Sequence, residues 1–279
     1  MLPDIPGYEL VASLGGGPLT CVFEARELAT DEPCAVKLLR PEWDEQTTAV
    51  KLLQREARAG LMVRHPHLVG FRHAHVTTPP YFVVMELLPG ESLRRRLRRD
   101  YRLDLPTALW ITRQTAEALA GLHRAGFVHG DVKPDNIRLV DDGTAVLIDL
   151  GFAHRPGENA AFFEKGYILG TVDYLAPELC AAAPSADLTS DLFSLGVTLF
   201  EMLAGQLPYP SGTLEQTLRR HQCDPPADLR RLAGPQPPPQ VPLIERLLAR
   251  KPAERPKAAA VVQQLIALEI AALGRRKSA

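Results

Sequence analysis

Long apolar runs are missing from this chain of 279 residues: none approaches the roughly 18 residues needed to cross a bilayer. The N-terminus also lacks a charged region followed by a signal-like apolar core. The expectation is a soluble segment with no membrane contact and a cytoplasmic location. An excess of charge is lacking as well. Lys and Arg number 32 against 33 Asp and Glu, a net charge of −1, which gives no global attraction to nucleic acid or membrane. Cysteines are few, and Cys21, Cys34, Cys180 and Cys223 show neither C-x-x-C spacing nor the density of a framework. That excludes a disulfide scaffold and a structural zinc site, leaving reduced thiols. Hydroxyls are scarce over one stretch: from Gly151 to Ala176 there is no serine, Thr171 is the one threonine, and Tyr167 and Tyr174 are the other hydroxyls. A hydrophobic content of 46% can bury one large core or two modest lobes. Nothing here speaks to oligomeric state.

What is present is chemistry at loop spacing. The octapeptide His129-Gly130-Asp131-Val132-Lys133-Pro134-Asp135-Asn136 precedes Asp149-Leu150-Gly151, with apolar segments on either side. A phosphate leaving ATP spreads negative charge, so its transfer needs positioning and electrostatics more than covalent help. Asp131 can accept the proton of an attacking hydroxyl, and Lys133 can reach the transferring phosphate. Asn136 and Asp149 offer hard oxygen ligands to Mg2+ or Mn2+. Each residue alone is more often a turn former or a cap. Matched groups at fixed offsets point instead to phosphoryl transfer.

These loops resemble the catalytic and metal-binding loops of the eukaryotic-like (Hanks-type) serine/threonine protein kinases, in their bacterial form, whose pattern is H-R-D-x-K-x-x-N followed by D-F-G. The resemblance runs from about Tyr8 to about Ile270, with each signature block in family order. It implies an α+β, bilobal protein-kinase-like fold: a small β-rich N-lobe with one regulatory helix over residues 1–86, and a larger α-helical C-lobe over 87–279, together one kinase domain. It also implies ATP and a divalent metal as cofactors and a protein substrate with a Ser or Thr acceptor. Residue by residue, Asp131 becomes the base and Lys133 the phosphate-reaching cation. Lys37 of Cys34-Ala35-Val36-Lys37 pairs with the α and β phosphates, and Glu56 holds Lys37 by an ion pair. Asn136 and Asp149 are the metal ligands. The nucleotide pocket takes in Leu14, Gly15, Gly16, Gly17 and Val22 of the glycine-rich loop and Ala35. It continues through the gatekeeper Met85, the hinge from Glu86 to Leu88, Ser92 and Arg138. Thr171, bonded to the catalytic Asp and Lys, and Lys133 itself both suit the serine/threonine group. Asp191, fastening the catalytic loop, and Arg255, paired with Glu178 of Ala176-Pro177-Glu178, take structural roles.

Patterning agrees with this plan. Residues 8 to 40 alternate like antiparallel strands, and a helix is predicted from Asp44 to Met62, with exposed Glu45 in its first turn. Tyr81 to Met85 reads as a buried strand and Leu105 to Ala125 as a buried helix. The proline-rich stretch 211–242 reads as a connector between helices or as a ligand for a partner domain.

Several positions depart from the family pattern. Pro18 has no N–H to offer a phosphate, and Thr20 stands where a third glycine belongs, which predicts a looser grip on the nucleotide. Gly130 replaces the arginine that pairs with a phosphorylated activation loop. With so few hydroxyls in that loop, activation independent of its phosphorylation is expected. Arg138 stands at the floor of the adenine pocket, its stem suited to cover the base. Gly60 offers no apolar group against the regulatory helix, which predicts a less fixed helix. Arg94, Arg95, Arg96, Arg98, Arg99 and Arg102 crowd one helix, as a solvated face or as an acceptor for acidic substrates. An active serine/threonine kinase is the leading reading. A weakly active pseudokinase serving as a nucleotide-binding signalling scaffold is the alternative, and a small-molecule kinase is disfavoured by the complete activation segment.

Overall fold

A computed structural model of the chain describes residues 3–181, 187–228 and 239–276; residues 229–238 of the proline-rich stretch lie outside it. The N-terminal part is an antiparallel sheet of β1 (Tyr8–Gly16), β2 (Thr20–Glu27), β3 (Pro33–Leu39), β4 (Phe71–His75) and β5 (Phe82–Glu86), in the order β1-β2-β3-β5-β4. Alternation along β3 divides its side chains between two cores. Cys34, Val36 and Leu38 join Phe23, Phe82 and Val84 in a small outer cluster closed by Ile5. Ala35 and Leu39 face the main core, and so Lys37, two residues from each, points to the same inner side.

A short turn of 3-10 helix, Pro41–Trp43, leads to α1 (Thr47–Met62). The helix starts three residues later than the pattern predicts. Gln46 is its cap and the turn begun by Pro41 closes before it, so exposed Glu45 stands outside the helix instead of in its first turn. Ala49, Leu53, Glu56, Ala57 and Gly60 form the buried stripe of α1, at helical intervals. Gly60 does not loosen this packing. The ring of Phe71 on β4 lies where a side chain would be, with a Cβ at position 60 falling 2.3 Å from ring carbons. The ring is 4% exposed and supplies from the sheet the apolar group that Gly60 withholds.

The C-terminal part is helical and contains α2 (Leu93–Asp100), α3 (Leu105–Arg124), α4 (Ala160–Glu164), α5 (Ser190–Ala204), α6 (Leu214–Cys223), α7 (Val241–Leu247) and α8 (Ala258–Arg276). The side chain of Asp104 caps α3 by accepting from the Thr107 N–H at 3.0 Å. Helix α5 is buried on nearly all sides, as its apolar composition requires, and ends at Gly205 in the left-handed region. A small antiparallel sheet of β6 (Glu91–Ser92), β7 (Ile137–Leu139) and β8 (Ala145–Leu147) lies beneath the junction of the two parts. No described helix is long and apolar enough to cross a membrane.

Candidate active site

Between the sheet and the helical part lies a cleft of about 730 Å³. The structure brings to it Leu14, Gly15, Gly16, Gly17, Val22, Ala35, Lys37, Glu56, Met85, Glu86, Leu88, Asn136, Arg138 and Asp149. It does not bring Ser92, whose hydroxyl accepts from the Arg95 N–H at 3.2 Å as the cap of α2. Leu87 of the hinge segment lines it as well, and so do Leu52 and Ile148, which lie outside every motif. Leu52 and Ile148 carry no motif, because an apolar residue looks the same in sequence whether it faces core or ligand.

Lys37 joins three elements. Its Nζ donates to Glu56 Oε1 of α1 at 2.8 Å and to Asp149 Oδ1 at 2.6 Å. Burial alone would lower the pKa of this ammonium group, but the carboxylates of Asp149 and Glu56 outweigh it and hold the lysine charged. Burial would raise Asp149, yet Lys37 and the Gly151 N–H bring it down to about 2. Glu56, 2% exposed, is pushed upward by burial against the pull of Lys37. Asp149 takes a positive φ of 62°. Such backbone strain in a residue other than glycine persists only where surrounding bonds over-determine it.

The catalytic loop is fixed from beneath and from the side. Asp191 of α5, 1% exposed, accepts from the His129 N–H at 2.8 Å and the Gly130 N–H at 2.9 Å, and His123 Nε2 lies 2.9 Å from it. Burial would raise this carboxyl too, but the bond to His123 and the backbone donors hold it below the usual range. Asp131, 4% exposed, sits 2.7 Å from Lys133 Nζ and accepts from the Thr171 N–H at 2.9 Å and from Asn136 Nδ2 at 2.9 Å. Lys133 also donates to the Thr171 hydroxyl. The close approach of the two loops depends on glycine: a Cβ on Gly170, whose φ is +100°, would fall 2.7 Å from the Gly130 carbonyl oxygen. Farther down the chain, Arg255 grips both oxygens of Glu178 at 2.6 Å.

The donor set suits a divalent metal held together with phosphate. Among the described residues no group of three or more His, Cys, Asp or Glu could hold an ion alone. Asp149 and the amide oxygen of Asn136, whose nitrogen is committed to Asp131, are hard oxygens on one cleft wall. A magnesium-like ion typically takes one or two such ligands, phosphate oxygens and water.

The glycine-rich loop is anchored by residues that its motif does not include. The Gly17 N–H donates to Thr20 O at 2.9 Å, and a Cβ on Gly16 would meet that oxygen at 2.4 Å. Arg40 Nε donates to Gly17 O at 3.1 Å, Trp43 Nε1 to Pro18 O at 3.1 Å, and the Arg40 N–H to Leu19 O at 2.9 Å. Three successive carbonyls of the loop are thus tied to the segment after β3. At the cleft floor, Arg138 donates from Nε to Pro89 O at 3.2 Å.

A cleft of nucleotide-sized volume, roofed by a glycine-rich hairpin and bordered below by Asp135, Asn136 and Asp149, defines a phosphotransfer architecture. Residues 8–266 match the protein kinase domain family, and the chain belongs to it. Membership implies ATP with a divalent metal. The chain is similar to the serine/threonine-protein kinase PknA of Mycobacterium tuberculosis, with 34% identity over 254 residues, covering 89% of this chain and 58% of the relative. It is similar to PknD of the same organism, with 32% identity over 251 residues, 89% of this chain and 37% of the relative. The Myxococcus xanthus kinase pkn3 is 30% identical over 262 residues, 90% of this chain and 48% of the relative. The chain therefore spans between 37% and 58% of the length of these relatives.

Proposed function

We propose that the chain is a serine/threonine protein kinase domain that transfers the ATP γ-phosphate to protein hydroxyls without needing phosphorylation of its activation loop. The observation that carries this reading is the unbroken chain of contacts Glu56–Lys37–Asp149 beside the cluster Asp131–Lys133–Thr171. Bound ATP with Mg2+ or Mn2+ supplies the phosphoryl group and neutralises part of its charge. Lys37, held by Glu56, orients the non-transferred phosphates, and Asn136 and Asp149 take the metal. Asp131 receives the hydroxyl proton of the acceptor, and Lys133 offsets charge that builds on the transferring group. Thr171 keeps Asp131 and Lys133 in register. Leu14, Val22, Ala35, Met85 and the stem of Arg138 enclose the base, and Glu86 to Leu88 act as the hinge. On this reading residues 1–86 form the N-lobe and 87–279 the C-lobe. Reduced cysteines suit a cytoplasmic location.

Of the six arginines on and after α2, Arg94 bonds Asp135 and Glu201, Arg95 and Arg99 pair with Glu91, and Arg96 pairs with Asp100. A preference for acidic substrates rests on Arg98 and Arg102, which are exposed. A peptide array with Asp or Glu around the acceptor tests it.

A scaffold with little transfer is the second reading, favoured by Pro18 and by the commitment of the Gly17 N–H to Thr20, both of which remove phosphate donors. Radiolabelled ATP with magnesium and a generic acceptor protein, comparing the parent with Asp149→Ala, separates the two. Label transferred by the parent and lost in the variant supports the enzyme. No label in either supports the scaffold.

A further inference from the structure

We infer that Glu158 is a positioning residue that acts as a permanent anionic clamp between the activation loop and α1, holding Glu56 against Lys37. The inference rests on the kinase reading above and names how its competent state is maintained.

Both carboxylate oxygens of Glu158 lie 2.7 Å from Arg58 Nη2, and Oε2 also accepts from the Arg155 N–H at 2.8 Å. One turn earlier on the same helix, Arg55 donates from Nη2 to the Glu158 carbonyl at 2.8 Å and from Nη1 to Asn159 Oδ1 at 3.0 Å. Asn159 is 3% exposed, and this second grip is part-buried. Aromatic rings complete it. The Arg55 guanidinium lies 5.5 Å from the Phe162 ring centroid, and those of Arg58 and Arg155 lie 5.6 and 5.2 Å from that of Phe127. Burial would raise the Glu158 carboxyl, but the Arg155 N–H and Arg58 overrule it and keep the group ionised.

The placement gives the clamp its role. Arg55 and Arg58 flank Glu56 on α1, so whatever fixes them fixes the rotation and height of the helix that presents Glu56 to Lys37. Gly130 puts no cation on the catalytic loop to receive an activation-loop anion. The loop's anion is instead a carboxylate encoded in the chain and directed at the helix, where no added phosphate is required.

The test compares the parent with Glu158→Gln, Arg58→Gln and the double variant, by phosphotransfer kinetics and by amide hydrogen exchange over residues 47–62. A partly exposed ion pair of this kind is worth at most about a factor of five in an equilibrium. Glu158→Gln is therefore expected to lower kcat about three- to fivefold, to speed exchange in the helix, and to leave the melting temperature within a few degrees, since the pair is partly exposed. The double variant should lose no more than the worse single. Parent kcat should fall with added salt as the pair is screened, whereas that of Glu158→Gln should not. Unchanged kcat and exchange in Glu158→Gln, or strictly additive losses in the double variant, would overturn the clamp. A parent that transfers no phosphate would sink the kinase reading instead, and helix exchange would still decide the clamp.

Discussion

Gly60→Ala should destabilise the protein even though alanine is the better helix former. In an exposed helix interior the change gains about 1 kcal/mol. Here the new Cβ falls 2.3 Å from the Phe71 ring, far inside the about 3.5 Å at which carbon atoms attract. The ring is buried and cannot swing into solvent. Overpacking of this kind costs about 1–3 kcal/mol, and with the contact so short the upper end should win, for a net loss of about 1–2 kcal/mol. Phe71→Ala alone should cost about 3–5 kcal/mol, from lost transfer energy and the cavity. In the double variant the Cβ enters vacated space, and the alanine keeps its helical gain. The double should then be more stable than the sum of the singles by about 2–3 kcal/mol, within the range for residues in contact. Urea unfolding of the four proteins measures this cycle. Glu56 lies one turn before Gly60, so Gly60→Ala should also lower phosphotransfer. A Gly60→Ala variant more stable than the parent, or an additive cycle, would refute the role given to the Phe71 ring.

Phosphatase treatment should leave phosphotransfer nearly unchanged; a large loss of activity would show that a phosphate is needed after all. Gly130→Arg should not activate the enzyme. It forces a side chain into a φ of +81°, with Cβ 2.9 Å from Phe152 O, and should cost about 2 kcal/mol in urea unfolding. Asp191→Asn, which sets an amide NH2 against backbone donors, should cost about 3 kcal/mol at neutral pH. The sign with pH follows from a carboxyl held below its ordinary range: its stabilisation is complete above the unfolded value of about 4 and fades as pH falls through the folded value. Stability curves of parent and variant should therefore converge in acid, and a constant gap would count against the assignment. ATP affinity measured by calorimetry should be weaker than that of kinases whose loop keeps all its amide donors, because Pro18 has no N–H and that of Gly17 is already bonded; an ordinary affinity would remove that reasoning.

Much of the site was legible because charged groups at loop spacing have few structural uses in combination. Lys37 bonds Glu56 and Asp149, Asp131 bonds Lys133 and Asn136 in a second group, and Asp191 and Arg255 make the fastening contacts to the catalytic loop and to Glu178. Sequence cannot separate the two roles of Ser92, because a serine before a helix is a cap as readily as a ligand contact; here its hydroxyl takes the Arg95 N–H. Propensity alone puts Glu45 inside the helix because it does not register the turn that Pro41 starts. The anchoring of the glycine-rich loop by Arg40 and Trp43 was not legible at all. Its acceptors are backbone carbonyls, which leave no trace in side-chain pattern.

The departures from the family pattern share a form that single positions conceal. Gly60 lacks an apolar side chain, and Phe71 from the neighbouring strand fills its place. Gly130 lacks a cation, and Arg55 and Arg58 receive the activation loop on the helix side instead. Pro18 lacks a donor, and its carbonyl is held by Trp43, which fixes a loop that can no longer be fixed as well by phosphate. In each pair the missing group and its replacement lie on different elements, distant in sequence and adjacent in the fold. Degeneracy counted along the chain therefore overstates the loss of function, since it records the vacated position and not the neighbour that takes over. For this chain that reasoning favours the enzyme over the scaffold wherever a replacement can be named. The glycine-rich loop remains the exception, because holding its carbonyls does not restore its N–H donors.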